Sequence, residues 1–259
     1  MITAMSAAAS GMEAQLSEIE NISNNLANVN TPAFKRTRAE FQDLLYETLK
    51  DPGANSGTLS APLGLQRGMG VNLVGTGRDF GLGPAQSTHR NLDVMIKGNG
   101  FFPVRLPSNE IAYRRDGTFF KAATGRIETI DGYPLQPEMY VPTTAARIDI
   151  SEDGVVVAVM GESQKQTLGQ IQLAVFTNQD GLKAVGRNLY TATDSSGPPM
   201  LAIPGQNTSG ALLQRFLEGS NVNVVTEMTD MISAQRAYEM NSKVVQTVDQ
   251  MLQHAVNIR

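Results

Sequence analysis

The feature that most constrains this 259-residue chain is a pair of apolar seams, one near each end, with a β-type stretch between them. Ile2, Met5, Ala9, Met12, Leu16, Ile19, Ser23 and Leu26 follow the 3,4 alternation of a heptad, and all but Ser23 are apolar. The spacing predicts a helix over residues 2–29, about 42 Å long at 1.5 Å per residue. Asn24, Asn25, Asn28 and Asn30 weaken its end, and Thr31-Pro32 should stop it, because the residue before a proline is pushed out of the α region. At the other end Val224, Met228, Met231, Gln235, Tyr238, Ser242, Val245, Asp249, Leu252 and Val256 keep the same spacing. A second helix of about 54 Å follows, with Asn221 or Asn223 as its cap. Val244, Val248, Met251 and Ala255 form a further row beside the first. A helix with two adjacent apolar rows wants more than one neighbour, so a helical hairpin within one chain leaves apolar surface open; self-association is the natural remedy, and the alternative is that both helices pack onto the β domain of a monomer.

Between the seams the pattern changes twice. Phe34 to Leu49 reads as a shorter helical or mixed segment. From 51 to 70, Pro52-Gly53, Ser56-Gly57, Pro62, Gly64, Gly68 and Gly70 break any periodicity, so a long exposed loop is expected, either a disordered linker or a functional loop with Leu59, Leu63 and Leu65 as its apolar anchors. From about 71 to 215 the signal is β. Asp116-Gly117, Asp131-Gly132, Asp153-Gly154 and Asp180-Gly181 separate short runs rich in Val, Ile, Phe, Tyr and Thr, which is the pattern of antiparallel hairpins. Candidate strands are 92–96, 101–106, 111–114, 155–160 and 170–177. The expectation is an α+β chain: an N-terminal helical segment (1–45), a Gly/Pro-rich loop (46–70), a central antiparallel β-rich domain (71–215) and a C-terminal helix (216–259) pairing with the first in a coiled-coil-like domain.

Composition narrows the chemistry. Lys+Arg total 21 against 25 Asp+Glu, a net charge of −4, which gives no global basic field for a nucleic acid. The longest strongly apolar run, 155–160, is far short of the roughly 20 residues of a membrane-spanning helix. The first basic residue is Lys35, so the start of the chain does not read as a cleaved secretory signal. With no Cys and only His89 and His254, thiolate and most imidazole chemistry is disfavoured, and no metal, cofactor or catalytic residue is expected. Gly98-Asn99-Gly100 before Phe101-Phe102-Pro103 reads as a turn into a strand rather than a dinucleotide loop. Arg114-Arg115 reads as an isolated basic pair in a hairpin.

Two long motifs resemble the terminal signatures of the bacterial flagellar rod and hook protein family: 24–35, NNLANVNTPAFK, and Ser220-Asn221-Val222-Asn223 with 234–243, AQRAYEMNSK. The stretches 96–102 and 113–119 resemble the family's shared β-domain motifs. Leu44-Leu45-Tyr46-Glu47-Thr48 running into Pro52-Gly53-Ala54 and Gly64-Leu65-Gln66 is similar to the segment that sets distal rod subunits apart from hook and proximal rod proteins. The sequence departs from the motifs at Pro103 and Arg115 and runs on past Leu252. The resemblance implies a non-catalytic axial subunit, exported through the flagellar type III channel without a cleaved signal. Such subunits stack helically into the hollow driveshaft that carries torque from motor to hook, spanning the periplasm to the outer membrane.

Implied partners are further copies of the chain, proximal rod proteins, the hook protein, the surrounding P- and L-ring proteins and the export apparatus. The residues implied for assembly are the seam positions Ile2, Met5, Met12, Leu16, Ile19, Leu26, Val224, Met228, Met231, Tyr238, Val245 and Leu252. Asn24, Asn25, Asn28, Asn30, Arg236, Glu239 and Asn241 are the motif positions. Pro52, Gly53, Leu59, Pro62, Leu63 and Leu65 would lodge between subunits and hold the tube straight. The competing readings are a monomeric β-domain binding module and a peptidoglycan-acting enzyme; the latter needs two carboxylates about 5 to 10 Å apart in a pocket.

Overall fold

The computed structural model describes residues 2–50, 55–56, 59–60, 64–161, 164–206 and 208–257. Its described residues form two α-helices and a set of antiparallel strands, an α+β chain, and they divide into two compact units. Unit 1 comprises residues 1–27, 37–78 and 223–259; unit 2 comprises 28–36 and 79–222.

Unit 1 holds helix α1 (Ile2–Ala27) and helix α2 (Val224–Asn257), which pack against each other. α2 starts where Asn223 Oδ1 accepts from the Val225 and Thr226 amides, at 3.0 and 3.4 Å, so Asn223 is the cap and Asn221 is free for another task. The helical or mixed segment expected over 34–49 is instead extended: Thr37–Asp43 pairs antiparallel with Val71–Arg78, and Tyr46–Lys50 with Leu65–Gly68. The first of these ribbons lies on α1. Ser10 Oγ accepts from the Val71 amide at 3.3 Å, and Gly70, at φ +120°, comes so close that a Cβ there would sit 2.2 Å from Ser10 Oγ. The stretch read as a structureless loop therefore begins and ends in paired strands, with a short pair, Asn55–Ser56 and Leu59–Ser60, inside it. Pro52, Gly53, Pro62 and Leu63 lie outside the described residues.

Unit 2 is closed by its own ends. Ala85–Ser87, just after the chain enters, pairs with Phe216–Glu218, just before it leaves, and Val94–Lys97 pairs with Ala211–Gln214. Between them lie a four-stranded sheet, in the order Lys183–Gly186, Leu189–Thr191, Ile111–Arg114, Phe102–Arg105, and a three-stranded meander, Arg147–Ile150, Val155–Met160, Gln164–Gln170. The main core gathers Val94, Ile96, Phe102, Phe119, Ile127 and Val156 among others. A second cluster stacks Phe101, Tyr113, Phe176 and Tyr190 edge to face, with centroids 4.8–5.8 Å apart.

Two of the four Asp-Gly pairs make the expected hairpins, with Gly132 and Gly154 at φ +81° and +80°. The other two do not. Asp116 Oδ1 instead accepts from the Thr118 amide and hydroxyl, an Asx turn between strands that pair with other partners, and Asp180-Gly181 likewise joins strands that are not neighbours. Gly117 is required there by space: a Cβ would sit 1.7 Å from the Val94 carbonyl oxygen. Gly117→Ala should therefore cost unit 2 about 3 kcal/mol or more, whereas Gly75→Ala, with nothing within 4 Å of its Cβ, should change stability by less than about 0.5 kcal/mol. Thermal melts of the two variants provide the comparison.

Candidate assembly surfaces

The helix pair of unit 1 closes on a row that runs one residue ahead of the apolar seam. Ala8, Ile22 and Asn25 on α1, and Glu227, Ala234 and Val248 on α2, are buried, and each immediately precedes a seam position. Gly11 and Asn241 continue that row: a Cβ on Gly11 would sit 2.9 Å from Asn241 Nδ2, so the glycine lets the two helices approach at this motif asparagine. Of the seam residues, Leu16, Val224 and Met228 are exposed, Leu16 by 46% and Met228 by 52%. Met5, Met12, Ile19, Leu26, Met231, Tyr238, Val245 and Leu252 are half-buried, and the Ile2 side chain lies outside the described residues. Exposed apolar groups continue on the ribbons, at Leu45, Tyr46, Leu49 and Leu65, while the Leu59 side chain is not described.

Asn25 is the polar centre of this unit. Its Oδ1 accepts from the Thr37 amide at 2.9 Å and hydroxyl at 3.0 Å, and its Nδ2 donates to the Thr37 carbonyl at 2.8 Å and to Glu227 Oε2 at 3.1 Å. One side-chain amide thus joins the last turn of α1, the first residue of the ribbon and the first turn of α2. Asn24, Asn30, Arg236 and Glu239 are exposed, and Asn28 Oδ1 accepts from the Thr31 hydroxyl in the turn that follows α1.

Unit 2 carries a second polar centre, which was not identified from the sequence. Lys35, Arg115 and Glu218 are all buried, the Lys35 and Glu218 side chains exposed by only 0% and 1%. Glu218 Oε1 accepts from Lys35 Nζ at 2.5 Å and from the Gly83 amide at 3.0 Å, and its Oε2 accepts from Arg115 Nε at 2.7 Å. Lys35 Nζ also donates to the Gly81 carbonyl at 2.7 Å. The rest of the Arg115 guanidinium donates to the carbonyls of Gly100, Gly98 and Ile96, at 2.8, 2.6 and 3.3 Å, so the glycine-rich turn before Phe101 serves as a cradle for a cation. Arg114, the other half of the basic pair read as isolated, is also buried and bound to Asp116.

Asn221 completes the cluster. Its Oδ1 accepts from the Arg36 amide at 2.7 Å, and its Nδ2 donates to the carbonyls of Asp79 at 2.8 Å and Gly81 at 3.3 Å. The sequence signals for this centre are that Lys35 ends one terminal motif, Asn221 lies at the start of the other, and Gly98, Gly100 and Arg115 fall in the two motif stretches between them.

Burial pushes the Glu218 carboxyl upward, but the Arg115 and Lys35 charges outweigh it and hold it below its ordinary value. Burial also draws the Lys35 ammonium down against the pull of Glu218, and the 2.5 Å contact between them is that of an ion pair. Among the described residues no group of three or more His, Asp or Glu side chains could hold a metal ion, and no helix is long and apolar enough to cross a membrane.

Three family models match the chain: "Flagella basal body rod protein" over residues 5–35, "Flagellar hook protein FlgE/F/G D1 domain" over 95–158, and "Flagellar basal body rod FlgEFG protein C-terminal" over 213–258. The chain is 49% identical to the flagellar basal-body rod protein FlgG of Caulobacter vibrioides, over 99% of both chains. It is 36% identical to the protein of the same name in Bacillus subtilis over the whole of both. A match at 42% identity to the Escherichia coli flagellar hook protein FlgE covers 46% of this chain and 30% of that one.

Two outcomes follow from the polar centres. Asn25→Ala should destabilise unit 1 by about 3 kcal/mol, since it strips partners from the Thr37 main chain and from buried Glu227 together; hydrogen exchange at Thr37 and in the first turn of α2 reads the loss. The stability that Glu218 contributes is fully present above the ordinary carboxylate range, above about pH 5, and is lost as pH falls through its depressed native value. Thermal melts across pH 7 to 2 should therefore show unit 2 weakening only at the acid end.

Proposed function

We infer that this chain, which belongs to the FlgG family of flagellar basal-body rod proteins, is a structural subunit of the rod whose two terminal helices are its assembly elements. Subunits stack helically into a hollow tube, with α1 and α2 as a coiled-coil-like inner layer. The tube carries torque to the hook and lets export substrates pass. The observation that carries this reading is the division of labour between two adjacent helix rows. Within one chain the helices close on Ile22 and Val248 together with small and polar residues, and Leu16, Val224 and Met228 on the neighbouring apolar row remain exposed. Exposed apolar rows on helices suit burial against other copies, and that burial recurs at every subunit.

The partners that fit a rod subunit are proximal rod proteins on one side, the hook protein on the other, the P- and L-ring proteins around it, and the export apparatus that delivers it without a cleaved signal. The rod then spans the periplasm to the outer membrane. The segment carrying Pro52, Gly53, Leu59, Pro62, Leu63 and Leu65 lodges between neighbouring subunits and removes the slack that would let the tube bend. The free ribbon of Tyr46–Lys50 and Leu65–Gly68 supports this, because a two-stranded ribbon with exposed apolar side chains is marginal in water until something covers it.

Because Leu16 and Met228 are exposed in the single chain, Leu16→Lys and Met228→Asp should leave its thermal melt nearly unchanged and abolish rod formation, since each buries an unpaired charge once subunits meet. Normal rods with both substitutions would place the interface elsewhere. Deleting residues 51–62 should leave polymerisation intact but give curved or more flexible tubes by electron microscopy.

A further inference from the structure

We infer that the Glu218 carboxylate, clasped between Lys35 and Arg115, is a positioning residue for assembly: it keeps the entry and exit segments of unit 2 closed in the free subunit, so that the roots of α1 and α2 are delivered together. The inference rests on the reading that the helices are the assembly elements. The chain passes between the two units after Ala27, Arg36, Arg78 and Val222. Inside unit 2, the segments leading to the last three of these crossings are tied to one another. The Ala33 amide donates to the Glu218 carbonyl at 2.8 Å, the Asp79 amide to the Arg36 carbonyl at 2.9 Å, and the Gly219 amide to the Pro84 carbonyl at 2.8 Å. Asn221 then bridges Arg36, Asp79 and Gly81, while Glu218 bridges Lys35, Gly83 and Arg115.

Lys35 lies eight residues past the end of α1, and Glu218 six residues before the start of α2. Without the clasp, the segment that leaves α1 would be held to the exit strand only by the Ala33 amide bond to the Glu218 carbonyl and by Asn221, and the two helices would search for each other across a wider volume. With it, their roots are held at high effective concentration before either helix is ordered. Arg115 makes this specific to the folded unit, because its guanidinium is fixed by carbonyls of Ile96, Gly98 and Gly100 that converge only once the turn at 97–101 has formed. Glu218 therefore finds its second cation only after unit 2 has folded. The order of events is unit 2 first, clasp second, helix pairing last.

Two measurements test this on the full-length chain. In the wild-type monomer, hydrogen exchange should show the clasp amides of Ala33, Arg36, Gly83 and Gly219 protected at least tenfold more than amides in α1 and α2. Clasp amides that exchange as fast as those of the helices would overturn the inference. The second compares the double variant Lys35→Met/Glu218→Gln with Val156→Ala, a core substitution remote from the crossings that lowers stability without touching the clasp. The clasp variant should retain the near-ultraviolet circular dichroism of the Phe101, Tyr113 and Tyr190 cluster, lose protection at Ala33 and Gly219, and extend rod seeds at least tenfold more slowly. Val156→Ala should extend them at close to the wild-type rate. Equal slowing of both would mean that general stability, not positioning, is at work, and wild-type extension by the clasp variant would remove the role of Glu218. Failure of the wild type itself to extend seeds would instead count against the assembly reading. Should the double variant not fold, the wild-type exchange measurement still decides.

Discussion

One buried carboxylate sets the terms for the rest of unit 2. Glu218 is out of water, as are the two cations it serves, and such a cluster is stable only if every charge has a partner and nearly every polar hydrogen an acceptor. Four carbonyls, one backbone amide and two cations meet that demand around it. The requirement fixes the path of three separate stretches of chain. It also explains why a family motif ends in a lysine that is fully buried: the charge there serves cohesion rather than solubility.

Unit 1 solves a related problem with a neutral group. Asn25 joins a helix end, a strand start and a second helix start through one amide whose donors and acceptor are all used. Aspartate at that place would lose the two donors, and glutamine would displace them by a carbon, so the geometry is specific to asparagine. Both units thus use an asparagine, Asn25 in one and Asn221 in the other, to tie main-chain segments that are distant in sequence.

Much of the architecture was legible from residue spacing. Both helices follow from their heptads, and the strands 111–114 and 155–160 match the structure to the residue, because Val, Ile and Tyr concentrate there between turn signals. The strand Thr37–Asp43 was not legible: its residues, TRAEFQD, carry no apolar alternation, and it is extended because Val71–Arg78 and α1 give it partners. Nor could spacing tell which of two adjacent helix rows would close within the chain. Apolarity marks the seam but not the address of its partner, and Ala8, Gly11, Asn25 and Glu227 look unremarkable until Asn241 and Thr37 are set against them. The buried charges were the least legible, since a lone Lys, Arg or Glu in a sequence is most often solvated and only three-dimensional convergence pairs them.

The antiparallel pairing of the two ends of unit 2, Ala85–Ser87 with Phe216–Glu218, has an architectural corollary. A body whose chain enters and leaves through neighbouring strands behaves as a graft on its host: its entry and exit stay side by side whatever lies between them. Sheets within such a graft can be enlarged, trimmed or exchanged by recombination without changing the spacing at which the host elements resume. The helices, by contrast, have no such freedom, because a single residue inserted into α1 would rotate Asn25 by about 100° away from Thr37 and Glu227. Length variation in chains of this architecture should therefore accumulate in the interior of unit 2 and in the ribbon tip, and be almost absent from the helices.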